Sequence, residues 1–296
     1  MELNSKYKVL KKIKGIVSDE TFNKLAHYYL HFRKGVFPKS LNIKNPKTFS
    51  ENIIWNKLNN RFEGGELLAD KYEVRKFIKQ VIGEDYLVPI VGVFDKADEI
   101  NFNALPNKFV VKATQASGLN LIVTDKANLD WTSVKKMLDN WLTIDYSIFG
   151  REWQYDVNTN RLIIEEFISD DSKGELKDYK YFCFKGKAKY IQVDSERFQG
   201  HKRNFYDLNW NEQAFTIMYP RSKELIEKPN NLEDMNKVAS AIASSLKDKM
   251  NFSRIDLYNV NGKVLFGEIT FHPGGGCEPF SDYKYDVELG KMISSD

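Results

Sequence analysis

The stretch from Asn251 to Gly276, NFSRIDLYNVNGKVLFGEITFHPGGG, constrains the fold more than any other part of the chain. Apolar and polar residues alternate on both sides of Asn261-Gly262, which predicts two β-strands joined by a tight turn. Pro273 and the three glycines after it end the second strand. The sequence therefore predicts an antiparallel hairpin here.

Four polar residues with even numbers lie on this hairpin: Arg254 and Asp256 on the first strand, Glu268 and Thr270 on the second. A two-residue Asn-Gly turn would place Asp256 opposite residue 267 and turn Glu268 to the other face. A three-residue loop over Val260–Gly262, with its glycine left-handed, would place Asp256 opposite residue 266 and bring all four to one face. We predict the three-residue loop.

Two carboxylates and a hydroxyl on one sheet face form a site for a hard cation, and an arginine beside them suits phosphate oxygens. The alternative is an exposed, salt-bridged hairpin without a ligand. The glycines at 274–276 favour the first interpretation, because they expose backbone N–H groups that suit an anion.

Composition limits the class of protein. The chain has 296 residues, 42% hydrophobic and 14% aromatic, as expected of one large or two modest folded domains. A net charge of +3 does not indicate a nucleic-acid partner. Cys183 and Cys277 are too few for a disulfide framework, and four histidines without metal-ligand spacing do not predict zinc. No apolar run could span a bilayer and the start lacks an apolar signal segment. Because two cysteines are typical of a reducing compartment, we expect a cytoplasmic protein.

The first 84 residues are predicted to be helical. Residues 5–14 form a basic helix, either a solvated arm or a contact with the inner face of an anionic membrane. A second helix covers Asp19–Lys34, with Ser18 as its N-cap. A capping box at Thr48–Glu51 opens a third helix, and Asp70 caps a fourth that ends near Gly83.

A strand over Lys108–Thr114, a small-residue loop and the strand LIVTD follow. This pattern resembles a flexible flap whose N–H groups and Ser117 hydroxyl lie over phosphates, with Lys112 below as a point charge. An ordinary hairpin with an exposed lysine is the alternative.

Strands are also predicted at Arg161–Ile168, which carries Glu165-Glu166, and at the hairpin that begins with Asp178-Tyr-Lys180. Adjacent acids in a strand point to opposite faces, so at most one of the two glutamates faces a site. Residues 197–207, RFQGHKRNFYD, are predicted to be a loop, and a long helix covers Asn231–Lys249.

The order of these parts resembles the ATP-grasp superfamily of carboxylate–amine ligases. More narrowly, NPKTFSE, LADKYEVRKFI, KDYKYFCFKGK, RFQGHKRNFYD and the C-terminal hairpin look like its teichuronopeptide-biosynthesis (TupA-like) branch, found with bacterial surface-polysaccharide genes. The match runs from about Asn45 to Gly290. It implies an α+β fold in which two subdomains sandwich ATP, with a helical N-terminal region (1–84), a small lid subdomain (85–160) and a C-terminal subdomain (161–296) with the metal and phosphate site.

The resemblance implies ATP and Mg²⁺ as cofactors. Lys112 would contact the α- and β-phosphates, under the loop with Thr114, Ser117 and Gly118.

Adenine and ribose would be held further along the chain. Glu165 or Glu166, with Phe167, would form the adenine-contacting hinge, and Asp178 would reach the ribose hydroxyls. Lys180 would be a second cation on the phosphate side.

The hairpin would carry the chemistry. Asp256 and Glu268, with Thr270, would hold one or two Mg²⁺ ions, and Arg254 would stabilise the transferring phosphoryl group.

The amides of Gly274, Gly275 and Gly276 would hold the carbonyl oxygen of a tetrahedral intermediate. The residues expected to contact the acceptor's carboxylate or diphosphate are His201, Arg203 and Asn204; a solvated loop is the alternative.

Three features depart from the superfamily pattern. Thr270 stands where an Asn metal ligand is usual, and Gln115-Ala116 replaces the His-Gly that branch members often carry, which leaves a stiffer loop. The usual N-terminal α/β domain is replaced by about 80 helical residues.

The predicted reaction joins an amino acid to a uronic-acid carboxylate, carried on a sugar nucleotide or a lipid-linked glycan, through an acyl phosphate. The alternatives are a sugar or small-molecule kinase, a polysaccharide glycosyltransferase, for which an Asp-x-Asp motif is missing, and a non-catalytic binding protein. Retention of Lys112, Asp256 and Glu268 together disfavours the last.

Overall fold

The computed structural model describes residues 3–156, 160–169, 176–196 and 200–294. The described residues fall into two compact units. Unit 1 comprises Met1–Lys11 and Glu63–Ser169, and unit 2 comprises Lys12–Phe62 and Asp170–Asp296. The first helix, α1 (Leu3–Lys14), starts in unit 1 and ends in unit 2.

Unit 1 is built on an antiparallel sheet with strand order β1-β4-β2-β3. Its helices and strands, in chain order, are α4 (Gly65–Ala69), α5 (Val74–Val81), β1 (Ile90–Phe94), β2 (Phe109–Ala113), β3 (Asn120–Val123), α6 (Trp131–Leu142), α7 (Ser147–Gly150) and β4 (Leu162–Glu166). Alternate residues of β2, namely Phe109, Val111 and Ala113, are fully buried and pack in one core with Leu138 of α6. The alternation of residues in KFVVKAT therefore correctly predicts which face of β2 is buried.

Unit 2 contains an antiparallel sheet with strand order β7-β6-β5-β8-β9. Its helices and strands are α2 (Asp19–Arg33), α3 (Phe49–Asn59), β5 (Asp178–Phe184), β6 (Lys187–Ser195), β7 (Lys202–Asp207), α8 (Leu232–Ser245), β8 (Phe252–Val260), β9 (Lys263–Thr270) and α9 (Tyr283–Ile293). One face of the sheet packs on α8, where the Tyr181 hydroxyl donates to Asn236 at 3.0 Å. On the opposite face, Phe49 of α3 packs on Phe182 and Phe252, with ring centroids 5.9 and 5.0 Å away. The rest of that face carries the polar residues described below.

The compact units differ from the expected domain boundaries. β4 lies between β1 and β2 in the sheet of unit 1, although it was expected to open the C-terminal subdomain at residue 161. The expected helical region over 1–84 is divided, because α2 and α3 belong to unit 2 whereas α4 and α5 belong to unit 1. Long-range contacts cause this division: the Ser50 backbone N–H donates to the Asp286 carboxylate of α9 at 2.8 Å.

The predicted starts of the second and third helices are confirmed, but the start predicted at Asp70 is wrong. The Ser18 hydroxyl accepts from the Thr21 N–H, and Thr48 and Glu51 form the reciprocal capping box of α3. Asp70 accepts from two backbone N–H groups, but its segment forms a turn and α5 begins only at Val74. Described residues 3–84 contain helices, turns and irregular backbone, and no strand.

The buried His27 on α2 predicts that the stability of the protein depends on pH. It is 3% exposed, and burial together with the nearby His31 lowers the pKa of His27 from 6.5 to about 4. Because the unfolded chain binds a proton that the native His27 does not, the free energy of unfolding should fall as the pH drops from about 6.5 to about 4, by up to about 3 kcal/mol. We expect His27→Gln to weaken this pH dependence, measured by urea unfolding at neutral and mildly acidic pH. An unchanged dependence would assign the effect to other groups.

Candidate active site

The turn of the C-terminal hairpin is shorter than predicted. Val260 pairs with Lys263, so Asn261 and Gly262 form a two-residue turn, and both have positive φ, 51° and 85°. The predicted three-residue loop is wrong. The Asn-Gly pair adopts the left-handed conformations that a tight hairpin turn requires.

A β-bulge, and not the loop, sets the register beyond the turn. Leu257 lies opposite Phe266, but Asp256 lies opposite Glu268, so β9 contains one extra residue, Gly267. A Cβ on Gly267 would lie 3.0 Å from the Asp256 backbone oxygen, which suits glycine at this position. The bulge reverses the alternation of side chains in β9. Asp256 is therefore not opposite residue 266, but the prediction that Asp256 and Glu268 share a face is confirmed.

Arg254 contacts all three of its polar neighbours on this face. Its Nε and Nη2 donate to the two carboxylate oxygens of Asp256 at 2.7 and 2.6 Å. Nη2 also lies 3.2 Å from Glu268 Oε1 and 3.0 Å from Thr270 Oγ1. The Thr270 hydroxyl donates to Glu268 at 3.0 Å. These oxygens converge on one guanidinium group.

The electrostatics of this group are those of a buried ion pair. Burial raises the pKa of Asp256 to about 6, although the Arg254 guanidinium opposes the shift. Burial alone would lower the pKa of Arg254, but attraction to Asp256 and Glu268 raises that pKa above its usual range. Arg254 therefore stays positively charged and faces two carboxylates.

Asp194 on β6 organises a second group on the same face, and sequence reasoning missed it. Lys180 Nζ donates to Asp194 Oδ2 at 2.9 Å, Arg203 Nε donates to Oδ1 at 2.7 Å, and His201 Nε2 lies 3.2 Å from Oδ1. Burial would raise the pKa of Asp194, but the charges and hydrogen bonds of Arg203 and Lys180 outweigh burial and hold that pKa well below its usual range. Lys180 lies opposite Asp256 in the β5–β8 register, so the two groups are adjacent.

The segment predicted as a loop is a strand, β7, from residue 202 onward; residues 197–199 lie outside the described residues. Arg203 pairs with β6 and also donates to Glu278 at 3.1 Å, while His201 stacks on Tyr219 with 3.7 Å between ring centroids. The solvated-loop alternative is therefore wrong for this segment. The buried Arg203 has acidic partners on two sides, which sequence alone did not reveal.

Asn204 lies on the opposite face of the sheet from Arg203. Its amide donates to Glu212 at 2.9 Å, and its oxygen accepts from the Ser222 N–H at 3.0 Å. The structure therefore does not bring Asn204 together with the other acceptor residues, because neighbours in a strand point to opposite faces.

The charged residues of these two adjacent groups are together called the charged cluster. It consists of Asp178, Lys180, Asp194, Arg203, Arg254, Asp256, Glu268 and Glu278. Three cations face five carboxylates. The cluster thus carries an excess of negative charge that a divalent cation would offset before a phosphate could bind.

The three glycines after the hairpin have a packing role. All have positive φ, between 57° and 76°, and a Cβ on Gly276 would lie 2.9 Å from the Ser50 backbone oxygen in α3. The Gly275 N–H donates to the His272 oxygen at 2.9 Å, and the Gly275 oxygen accepts from Lys57. The prediction that Gly275 N–H holds an oxyanion therefore conflicts with its internal hydrogen bond. For Gly274 and Gly276 it stays a prediction.

In unit 1, Lys112 and Glu165 form an ion pair between β2 and β4. Lys112 Nζ lies 2.5 Å from Glu165 Oε2, and Arg75 lies 3.8 Å from Oε1. Glu165 is buried whereas Glu166 is exposed, as the alternation in a strand predicts. Lys108 lies 5.9 Å from the Phe167 ring.

The loop after β2 is held at its start and exposed at its tip. Thr114, Gln115 and Ala116 are buried; Gln115 Nε2 donates to Asp70 at 2.8 Å, and the Thr114 hydroxyl accepts from a backbone N–H at 3.2 Å. The tip, Ser117-Gly118, is exposed. Only this tip offers free surface for a phosphate, since Thr114 is used to fix the loop.

A family model described as TupA-like ATP-grasp matches residues 51–294, most of the chain. The chain belongs to this family. Membership confirms the predicted fold class, an α+β ATP-grasp fold, and the resemblance on which it was based. No curated protein matches the chain.

Several solved structures are similar in fold. A D-alanine–D-alanine ligase from Bacillus anthracis is 21% identical over 77% of this chain and 66% of that chain, with a TM-score of 0.47. The same ligase complexed with ATP is 21% identical over 70% and 56%, with a TM-score of 0.43. D-alanine–D-alanine ligase from Helicobacter pylori is 16% identical over 77% and 62%, with a TM-score of 0.41. This chain thus spans less than two thirds of the length of each.

The residues of the hairpin fit the Mg²⁺ that the family implies. In the described ranges, no group of three or more His, Cys, Asp and Glu side chains is arranged as a metal site. Mg²⁺, however, is commonly bound through one or two carboxylates together with substrate phosphates and waters. Asp256, Glu268 and Thr270 supply two carboxylates and a hydroxyl on one face of the sheet, where the Arg254 guanidinium holds them together.

None of the helices within the described ranges has the length and apolar character needed to cross a membrane.

Proposed function

We propose that this chain is an ATP-dependent carboxylate–amine ligase that joins a uronic-acid carboxylate to an amino acid. The charged cluster of unit 2 is the observation that carries this proposal. Arg254 lies beside two carboxylates on the five-stranded sheet, and Lys180 and Arg203 lie on the same face. Catalysis of phosphoryl transfer depends mainly on positioning the reactants and neutralising their charge, and such a cluster supplies both.

The reaction would proceed in two steps. A carboxylate oxygen of the acceptor bonds to the γ-phosphorus of ATP, the bond between that phosphorus and the β,γ-bridging oxygen breaks, and ADP leaves. The amine nitrogen then bonds to the carbonyl carbon of the acyl phosphate, and phosphate leaves with the electron pair of the broken C–O bond. The amine's proton passes to phosphate or water, and an amide results.

The residues of unit 2 would divide this work. Asp256 and Glu268, with Thr270, would hold Mg²⁺, which when bound neutralises phosphate charge. Arg254 would stabilise the transferring phosphoryl group, and Lys180 would supply a second cation. In unit 1, Lys112 and the exposed Ser117-Gly118 tip would contact phosphates, and Glu165 would keep Lys112 in place through their ion pair.

The acceptor would be a uronic acid on a sugar nucleotide or lipid-linked glycan. This part of the proposal rests on the resemblance to the teichuronopeptide branch and on Arg203 and His201, which lie beside Tyr219. A guanidinium suits a carboxylate or diphosphate. Asn204 is left out, because its amide is engaged on the other face.

Mass spectrometry of reactions that contain ATP, Mg²⁺, mixed amino acids and a panel of uronic-acid sugars tests the proposal. We expect a product heavier than one sugar by one amino acid minus water, formed only when both substrates are present. A sugar heavier by a phosphoryl group would instead identify a kinase. ADP formation that no added sugar or amino acid stimulates would contradict a ligase acting on these substrates.

A further inference from the structure

The second helix exposes large apolar residues on its outer face, although Ala26 and Leu30 pack against a buried cluster. Its buried positions include Asn23, His27 and His31, which are 1%, 3% and 8% exposed. Its outer face carries Leu25 and Tyr29, which are 59% and 62% exposed. A surface helix of a globular protein usually carries polar and charged residues on its outer face.

The outer apolar residues continue beyond the helix as a single surface. Phe32, 64% exposed, follows Leu25 and Tyr29 at helical spacing, and Phe37, 82% exposed, lies with its ring centroid 6.5 Å from that of Phe32. We call Leu25, Tyr29, Phe32 and Phe37 the α2 aromatic surface. Single exposed apolar residues are ordinary, but a group of this kind marks an interaction site.

The segment that carries this surface is basic. Residues 19–39 contain four Lys and Arg and two Asp and Glu, whereas the whole chain has 44 and 41. The Arg33 guanidinium lies 5.7 Å from the Tyr29 ring, and Lys34 and Lys39 are exposed.

We propose that the α2 aromatic surface docks on a bilayer that contains anionic phospholipids. Aromatic side chains favour the level of the lipid headgroups, and Lys and Arg beside them are attracted to anionic lipid. Whatever docks here must match both the exposed aromatic rings and the positive charge beside them. A second copy of this chain would bring the same excess of positive charge to the contact, which disfavours a symmetric dimer through this face.

Sedimentation of the full chain with phospholipid vesicles tests this proposal. We expect binding at least about tenfold stronger to phosphatidylcholine vesicles that contain phosphatidylglycerol than to phosphatidylcholine alone, and weaker binding at high salt. The double variant Phe32→Ser/Phe37→Ser should bind the anionic vesicles about tenfold more weakly, because it removes two interfacial aromatic rings. Arg33→Gln/Lys39→Gln should also weaken binding.

Leu225→Ser is the matched control, since Leu225 is 91% exposed and lies outside this surface. It should bind vesicles as the wild type does, and all variants should keep the wild-type melting temperature because the changed side chains are exposed. Equal binding to both kinds of vesicle, or full binding by Phe32→Ser/Phe37→Ser, would overturn the proposal. So would a wild-type dimer that this double variant converts to monomers in light scattering, because the surface would then belong to a second copy.

Discussion

Arg254→Lys is expected to lower the rate of ADP release by about a hundredfold to a thousandfold. The arginine donates to both oxygens of Asp256 and also reaches Glu268 and Thr270. A lysine keeps the charge, but its single ammonium cannot reproduce these contacts or present a planar donor pair to a phosphoryl group. The rate would be measured in a coupled ADP assay with the substrates that mass spectrometry identifies.

Arg221→Lys provides the control for this change. Arg221 pairs with Glu212 at 3.1 Å, and both side chains are 41% exposed, so the substitution should leave the rate within about twofold of the wild type. If Arg254→Lys also turned over ATP at nearly the wild-type rate, phosphoryl transfer would not depend on the guanidinium contacts of Arg254.

Asp194→Asn is expected to lower the free energy of unfolding by about 3–5 kcal/mol, because it leaves Lys180 and Arg203 without their shared buried carboxylate. Asp194 has a pKa below its ordinary value of 3.8, so the stability that it provides is present above that pH and is lost as the pH falls further. Urea unfolding at neutral pH measures the first effect, and a titration to low pH measures the second.

Asp234→Asn is the matched control, since Asp234 pairs with Lys237 on the exposed surface of α8. It should change the stability by less than about 1 kcal/mol. A similarly small effect of Asp194→Asn would mean that Lys180 and Arg203 are held by other groups and that Asp194 does not organise the face.

The alternation of apolar and polar residues predicted the strands of the C-terminal hairpin, but not how they pair. The Asn-Gly turn fixes the pairing near residue 260, and a two-residue turn alone would have separated Asp256 from Glu268. The bulge at Gly267 restores the shared face. Bulges depend on close backbone contact between strands, which one glycine in a sequence does not specify.

Local signals also predicted the helix caps, since Ser18 and the Thr48–Glu51 box act within one helical turn. Contacts between residues that are distant in the sequence could not be predicted from local signals. Asp194 and Arg203 meet only because β6 pairs with β7, and the polar composition of that segment had predicted a loop. The sequence nevertheless contains a signal for this contact. Asp194 stands near the end of an alternating apolar strand and faces the same side as Gln192. A single acid on a buried face needs a cation as its partner.

The division of the chain between two units illustrates the same limit. Residues 12–62 come before most of unit 1 in the sequence, but they pack in unit 2. Phe49 and the Ser50–Asp286 hydrogen bond connect them to it. Nothing local to α3 identifies these partners, which lie more than a hundred residues away.

Calorimetric titration with ATP, in the presence and absence of Mg²⁺, tests the central claim that Asp256 and Glu268 form a metal site next to a bound nucleotide. We expect the wild type to bind ATP at least about tenfold more tightly with Mg²⁺ than without it, and Asp256→Asn to lose most of that difference, because removing a carboxylate removes a metal ligand. Asp234→Asn should behave as the wild type does. Weak binding of the same strength by the wild type and by Asp256→Asn, with no dependence on Mg²⁺, would contradict the claim.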